Sequence, residues 1–340
     1  MLEIPAIELI RLTKCFDKVT ACDCIDMKVR HGEVLALLGE NGSGKTTLTN
    51  MLSGIYQPDS GQILLDGQAV TIRSPRDAIR LGIGMIHQHF KLVEVLSARE
   101  NILLGQAGLI TTPPEEAAKA FGFQVDLDKK VYDMSVSEKQ AVEILKVLCR
   151  GADKLILDEP TAVLTPQEIK ALFDTLDRMR KEGKAIIIIT HKLEEVMAVS
   201  DRVTVLRKGV NVGTVHTRDT NRFKLTEMMV GKPISLDVAH VPMPPGRTLL
   251  RVKNLSARDE GGRQLLSDIH FDLKAGEILG VAGVAGSGQK ALCEIIAGIE
   301  KPDGGEVYLG DTRIDGMSPL EIIKQGVSMA FIPEDRLGMG

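Results

Sequence analysis

Short apolar runs alternate with amphipathic stretches along the first part of this 340-residue chain. The runs are short enough to be strands buried on both faces: Val34–Leu38, Ile83–Ile86, Leu155–Leu157 and Ala185–Ile189. The segment Pro166–Lys181 has helical periodicity and ends just before Gly183. Strands that alternate with helices in this way predict a largely parallel sheet in an α/β fold.

Two other segments follow different patterns. Polar and apolar residues alternate over residues 7–29, which predicts antiparallel strands. Residues 97–150 are mostly helical in pattern and are broken at Thr111–Pro114. We therefore predict a mostly parallel core, an antiparallel β-subdomain at the N-terminus, and a helical subdomain.

A phosphate-binding pattern follows the first apolar run. Residues 39–46 match G-x-x-x-x-G-K-[ST] at every fixed position, between a predicted strand and a predicted helix, as the motif requires. The glycines let successive backbone N–H groups point inward, and the helix adds the positive end of its dipole. Lys45 is predicted to reach the β- and γ-phosphates, and Thr46 to hold Mg²⁺ through its hydroxyl. The predicted nucleotide ligands in this stretch are Gly39, Glu40, Asn41, Gly42, Ser43, Gly44, Lys45, Thr46 and Thr47.

Polar side chains stand at the ends of three other predicted strands. In a phosphate-loop ATPase, Asp158 would lie near Mg²⁺ and Glu159 would polarise the attacking water. Gln88 is predicted to contact both the Mg²⁺ and the water, and His191 to contact the γ-phosphate. The alternative for each is an ordinary solvated side chain at the edge of a sheet.

An aromatic residue precedes the phosphate loop. Phe16 lies 23 residues before Gly39, and the chain has only 11 aromatic residues. We predict that Phe16 stacks on adenine; the alternative is a plain core phenylalanine.

Composition limits the functional classes. The net charge of −4 gives no support for nucleic-acid binding through bulk charge. The aliphatic run Ile186–Ile189 is far shorter than a membrane span, and the N-terminus has no signal-peptide core, so we expect a cytosolic chain. The five cysteines form no C-x-x-C pair and are expected to be free thiols.

The chain contains an internal repeat with an offset of 244 residues. Gly39 recurs as Gly283, and Pro58 as Pro302. In the second loop, Gln289 occupies the lysine position and Lys290 the Ser/Thr position, so the phosphate-binding charge and the metal-binding hydroxyl are both lost.

The repeat predicts a domain organisation. The predicted first domain covers residues 1–237, a Pro-rich linker residues 238–247, and an incomplete second domain residues 248–340. We expect that second domain to be truncated, with apolar strands such as Glu277–Val281 and Ser328–Ile332 incompletely covered.

The order of phosphate loop, Gln88, Ser135–Gln140, Asp158-Glu159 and His191 resembles the ATP-binding subunit of an ABC transporter, over essentially the whole chain. The resemblance implies a P-loop NTPase core of the ABC ATPase type, with the signature, residues 135–140, in the helical subdomain. It also implies head-to-tail domain pairs in which Ser135 and Ser137 bind, in trans, the γ-phosphate of ATP held by the opposite domain. A homodimer is one arrangement that such pairing allows.

Further motifs resemble one branch of that family. The fused repeat, Pro160–Pro166 and Ile332–Arg336 resemble importers of simple sugars and nucleosides, and His87–Phe90 the nucleoside branch. The resemblance implies an ATPase that uses ATP and Mg²⁺ at the cytoplasmic face of the membrane, as a peripheral subunit. The implied partners are transmembrane permease subunits and, through them, an extracytoplasmic solute-binding protein. Nucleic acid is not among them.

One departure from the family pattern lies in the signature, which has Ser137 where the family has glycine. A Cβ there intrudes where the backbone must approach phosphate. Two alternatives stay open: a soluble ABC protein of translation or DNA repair, and an ATP-binding remnant with little turnover. Only 90 residues separate Lys45 from Ser135, without heptads or C-x-x-C, which disfavours a repair protein.

Overall fold

The computed structural model describes residues 4–88, 90–105, 110–162, 164–232, 244–259, 261–283, 286–325 and 332. The chain divides into two compact units, Met1–Leu236 and Asp237–Gly340. Most of the predicted linker lies outside the described residues. The interpretation of the second unit as a nucleotide-binding domain stays a prediction.

The first unit contains both α/β and antiparallel parts. In chain order its elements are β1 (Ile7–Phe16), β2 (Val19–Val29), β3 (Val34–Leu38), α1 (Lys45–Leu52), β4 (Ser60–Leu65), β5 (Gln68–Val70), α2 (Pro75–Arg80), β6 (Ile83–Ile86), α3 (Ala98–Leu103), α4 (Pro114–Phe121), α5 (Val136–Leu148), β7 (Lys154–Asp158), α6 (Pro166–Lys181), β8 (Ala185–Ile189), α7 (Leu193–Val199), β9 (Arg202–Arg207), β10 (Val210–His216) and α8 (Arg222–Val230).

The central sheet has six strands in the order β10-β9-β3-β8-β7-β6, all parallel except β10. Every residue of β3 and β8 is buried, as their unbroken apolar sequences require. Leu37 and Asp158 both pair with Ile189, so the carboxyl ends of β3, β7 and β8 lie at one level. That edge of the sheet therefore collects the segments that follow these strands.

Two smaller layers complete the first unit. An antiparallel sheet in the order β2-β1-β4-β5 is built from the alternating N-terminal segment. Helices α3, α4 and α5 surround a separate apolar cluster that includes Ile102, Val142 and Leu145. The predicted α/β fold, with its antiparallel and helical subdomains, is confirmed.

The second unit repeats the antiparallel part. Its elements are β11 (Thr248–Arg258), β12 (Gln264–Lys274), α9 (Gln289–Ile296), β13 (Gly304–Leu309), β14 (Thr312–Arg313) and α10 (Pro319–Lys324). The strand order β12-β11-β13-β14 has the same connectivity as β2-β1-β4-β5 in the first unit. Its small core includes Leu255, Leu292, Val307 and Ile322.

The prediction of a strand at Glu277–Val281 is wrong. These residues form no strand, and Ile278 is 94% exposed. In the first unit the equivalent strand β3 is hydrogen-bonded between β8 and β9, whereas the described part of the second unit offers no such neighbours. A parallel strand without partners leaves its backbone groups unpaired, so it does not form. The other predicted strand, Ser328–Ile332, lies outside the described residues except for Ile332.

In the part of the chain that the structure describes, no helix is both long and apolar enough to cross a bilayer.

Candidate functional site

The loop between β3 and α1 depends on close backbone approaches at its glycines. Gly44 has φ +101° and is the N-cap of α1, and a Cβ placed on it would lie 2.3 Å from the Ala21 carbonyl oxygen. A Cβ on Gly39 would lie 2.3 Å from Ser43 Oγ. Both positions therefore require glycine for steric reasons.

Lys45 is held over this loop. Its Nζ donates to the carbonyl oxygens of Gly39 (2.7 Å) and Glu40 (2.9 Å). Burial lowers the pKa of Lys45, while the Glu159 and Asp158 carboxylates oppose that shift. The ammonium group is thus bonded to the loop and lies within electrostatic reach of Glu159 and Asp158.

The buried hydroxyl of Ser43 has no hydrogen-bond partner in the described structure. An unpaired buried oxygen costs free energy, so it favours a ligand that supplies the missing bond. A phosphate group in the loop meets that need.

Glu159 brings together two of the predicted catalytic side chains. Its Oε2 accepts a hydrogen bond from Gln88 Nε2 at 3.0 Å, and its Oε1 lies 3.0 Å from His191 Nδ1. The Glu159 backbone has φ +44°, and its N–H donates to the Ile189 carbonyl at 2.9 Å. This uncommon backbone conformation directs the residue away from the line of β7.

Asp158 precedes Glu159 at the end of β7. Burial raises the pKa of Asp158, and the neighbouring charge of Glu159 raises it further. His87 and Lys45 oppose these two effects without cancelling them, so the pair of adjacent acids stays poorly compensated. A divalent cation would relieve this repulsion, and Thr46, Gln88 and Asp158 offer the oxygen ligands that Mg²⁺ prefers.

A cleft of about 720 Å³ lies above this edge of the sheet. The predicted residues that line it are Asn41, Gly42, Gly44, Lys45, Thr46, Thr47, Gln88, Asp158 and Glu159. Gly39, Glu40 and Ser43 belong to the loop but do not line the cleft, and His191 is linked to the cleft through its contact with Glu159. The site residues drawn from four separate stretches of sequence thus meet at one place.

Phe16 does not line this cleft. Its ring packs edge-on against Tyr56, with 5.1 Å between the ring centroids, and Lys14 Nζ lies 5.6 Å from its centre. The side chain is nevertheless 39% exposed, so it is not a core phenylalanine. Adenine stacking by Phe16 stays a prediction.

The cleft includes residues that sequence analysis missed. The cleft is also lined by Val19, Thr20, Ala21 and Lys208. The turn that carries Lys208 is fixed against the loop, because the Gly209 N–H donates to the Ser43 carbonyl at 3.1 Å. The Lys-Gly pair after an apolar alternating segment was the available signal for this turn.

Ser135 and Ser137 lie outside this cleft, at the start of α5. The Ser135 hydroxyl caps the helix by accepting from the Glu138 N–H, and the Glu138 carboxylate accepts from the Ser135 N–H at 2.7 Å. The Ser137 hydroxyl lies 3.2 Å from Ser135 Oγ. The structure does not bring these serines to the nucleotide cleft of their own chain.

The second loop repeats the backbone of the first but not its charge. Gly288 has φ +91° and is the N-cap of α9, and a Cβ on it would lie 2.4 Å from the Leu265 carbonyl. This is the Gly44–Ala21 contact displaced by 244 residues (288 − 44 and 265 − 21). The Lys290 side chain is 70% exposed, and its Nζ lies 3.7 Å from Glu294 Oε1 on the same helix.

Comparison with known proteins decides the family. The model of the family described as ABC transporter matches residues 22–162 and 266–337. The chain is 44% identical to the glucose import ATP-binding protein TsgD13 of Haloferax volcanii, over 98% of this chain and 67% of the relative. The chain belongs to the ABC transporter ATP-binding family.

Other relatives and solved structures agree. The nucleoside import ATP-binding protein NupA of Lactococcus lactis subsp. cremoris is 42% identical over 97% of this ABC chain and 67% of the relative. The chain thus spans about two thirds of the length of these curated relatives. CbiO1 of Clostridium perfringens, part of an ABC transporter complex, superposes with a TM-score of 0.59 at 30% identity, covering 67% of this chain and 95% of that one.

The fold is also that of the ADP conformation of an ABC ATP-binding cassette. That structure has a TM-score of 0.60 and covers 67% of this chain and 99% of its own, at 22% identity.

Proposed function

We propose that this chain is the ATP-binding and ATP-hydrolysing subunit of an importer for nucleosides or simple sugars. The observation that carries the proposal is the convergence of Lys45, Glu159 and His191 at one edge of the parallel sheet. The names of the relatives, which include glucose, nucleoside, guanosine and ribose import proteins, support the solute class.

Each side chain has a role in the hydrolysis. The loop N–H groups and Lys45 bind the phosphates, and the ammonium group supplies a charge-assisted bond. Thr46, Gln88 and Asp158 would hold Mg²⁺, which neutralises charge on the bound phosphates. Glu159 accepts a proton from the attacking water at a carboxylate oxygen, and His191 is held beside it by their 3.0 Å contact.

The assembly follows from the same family. We infer that Ser135 and Ser137 contact ATP bound by an opposing domain, and that the second unit is a nucleotide-binding domain with a degenerate loop. Transmembrane permease subunits, and through them an extracytoplasmic solute-binding protein, are the partners. The chain then works as a peripheral subunit at the cytoplasmic face of the membrane.

The catalytic role is tested with Glu159→Gln in the complex with permease subunits. Removing a general base typically lowers turnover by about 10²–10⁴-fold, whereas the amide leaves ATP binding intact. Glu182→Gln, on the exposed end of α6, is the matched control. Hydrolysis by Glu159→Gln at the rate of the control would refute the assignment.

The transport role needs a separate measurement. Vesicles that contain the permease subunits and this chain should transport labelled nucleoside or ribose only when ATP is present on the side of the membrane where the chain is bound. Failure of the chain to associate with permease subunits, with hydrolysis intact, would favour a non-transport ATPase.

A further inference from the structure

One buried carboxylate beside the site has no role in the scheme above. Glu195 is 7% exposed and lies in the first turn of α7. Its Oε2 accepts hydrogen bonds from Thr161 Oγ1 (2.6 Å) and Thr190 Oγ1 (3.2 Å), and its Oε1 lies 3.0 Å from Lys192 Nζ. A buried charge is costly unless it is bonded in this way, so its surroundings are constrained.

The residues bonded to Glu195 flank the two catalytic side chains. Thr161 stands two positions after Glu159, and Thr190 immediately precedes His191. Lys192 Nζ also donates to the Thr161 carbonyl at 3.1 Å, so it contacts both Thr161 and Glu195. One carboxylate therefore ties together the two backbone segments that hold the Glu159–His191 contact.

The same set of bonds reaches the signature helix. Gln140 is a buried residue of α5, and its Nε2 donates to the Pro160 carbonyl at 2.7 Å. Pro160 lies between Glu159 and Thr161 in the sequence. Buried hydrogen bonds, joined by the Pro160–Thr161 peptide bond, thus connect α5 with Glu195 and Thr190.

We propose that Glu195 is a positioning residue, which holds Glu159 and His191 at their contact distance and couples that geometry to the signature helix. It does not line the nucleotide cleft, so it acts through the segments on either side. The proposal rests on the proposed ATPase function. Misplacement of a catalytic group by about 1 Å can lower a rate by about 10²-fold.

The test compares Glu195→Gln with Glu33→Gln. Glu33 is also a buried carboxylate in a salt bridge, with Arg202, but it precedes β3 at the amino end of the strand, away from the cleft. We expect both variants to lower the melting temperature. Only Glu195→Gln should lower the single-turnover hydrolysis rate, by about 10–10²-fold, with ATP affinity within about threefold of the parent.

Amide hydrogen exchange gives a readout that needs no turnover. The Glu159 N–H donates to the Ile189 carbonyl at 2.9 Å, so its exchange reports how firmly the two segments are held together. Exchange in peptides that contain residues 159–162 and 190–192 should be faster in Glu195→Gln and unchanged in Glu33→Gln.

The outcomes separate this proposal from the proposed function. Absence of hydrolysis by the parent complex would refute the function, while the exchange pattern would still decide the role of Glu195. A rate loss no larger than that of Glu33→Gln, or a parallel loss of ATP affinity, would overturn the positioning role. So would unchanged exchange at residues 159–162 and 190–192.

The path through Thr161 is checked with a double variant. Thr161→Val removes the hydroxyl with little change of shape. If both residues act through the same contact, the double variant should be no slower than Glu195→Gln alone. If the rate losses of the two single variants multiply in the double variant, Glu195 does not act through Thr161.

Discussion

The phosphate loop of the first unit gives a sharp steric prediction. In Gly44→Ala, the new Cβ would lie 2.3 Å from the Ala21 carbonyl oxygen and 3.4 Å from Cys22 Sγ. In Gly42→Ala, no atom lies within 4 Å of the new Cβ, although the backbone is also left-handed, with φ +79°. The pair therefore separates backbone strain, which both share, from the clash, which only Gly44→Ala creates.

The magnitudes follow from the two terms. An alanine in the left-handed region costs about 1–2 kcal/mol, and this applies to both variants. Forcing extra volume against a packed backbone typically costs a further ~1–3 kcal/mol. We expect Gly44→Ala to lower the free energy of unfolding by about 2–5 kcal/mol and Gly42→Ala by about 1–2 kcal/mol.

Urea denaturation of the whole chain measures the difference. Gly288→Ala creates the equivalent clash in the second unit, because its Cβ would lie 2.4 Å from the Leu265 carbonyl. If Gly44→Ala is no less stable than Gly42→Ala, the close approach of β2 to the loop does not govern this turn.

Two further predictions concern titratable groups. Burial raises the pKa of Cys22 and of Cys149 to about 11, so both thiols stay protonated at pH 8. Iodoacetamide should therefore label only the exposed Cys15, Cys24 and Cys293 until the chain is unfolded. Labelling of all five cysteines in the folded chain, measured by mass spectrometry, would contradict this. Asp66 is bonded to Lys154 (2.9 Å) and His31 (2.7 Å), and although burial opposes them, these bonds lower its pKa below the usual 3.8. A lowered pKa stabilises the fold above about pH 4, and that effect is lost as the pH falls through the folded-state value. Asp66→Asn should therefore cost at most about 1 kcal/mol at pH 7, because the pair is partly exposed, and the cost should shrink as the pH falls below about 4. A cost that does not change with pH in urea denaturation would refute the assignment.

Much of the first unit was predictable because its local signals agree with its burial. β3, β8 and α6 have the predicted bounds, since β3 and β8 are wholly apolar and α6 begins with a capping threonine followed by Pro166. Motif spacing and strand ends also led to Lys45, Asp158 and Glu159, because the carboxyl ends of parallel strands share one edge.

The remaining features depend on contacts between distant residues. β9 lies beside β3 only through the order of the sheet, so Lys208 could not be placed at the cleft by its own sequence. Thr161 and Glu195 are 34 residues apart, and no periodicity links them. The prediction of a strand at Glu277–Val281 was wrong for the converse reason. Its sequence favours a strand, but the presence of neighbouring strands decides whether a parallel strand forms.

Nucleotide titration with purified chain tests the central claim most directly. We predict one fluorescent ATP analogue bound per chain, in the first loop, because the second loop has Gln289 where Lys45 stands. Lys45→Ala should abolish that binding, since charge-assisted phosphate bonds are about twice as strong as neutral ones, whereas Gln289→Ala should leave it unchanged. Two equivalent sites, or one site that survives Lys45→Ala, would contradict the account.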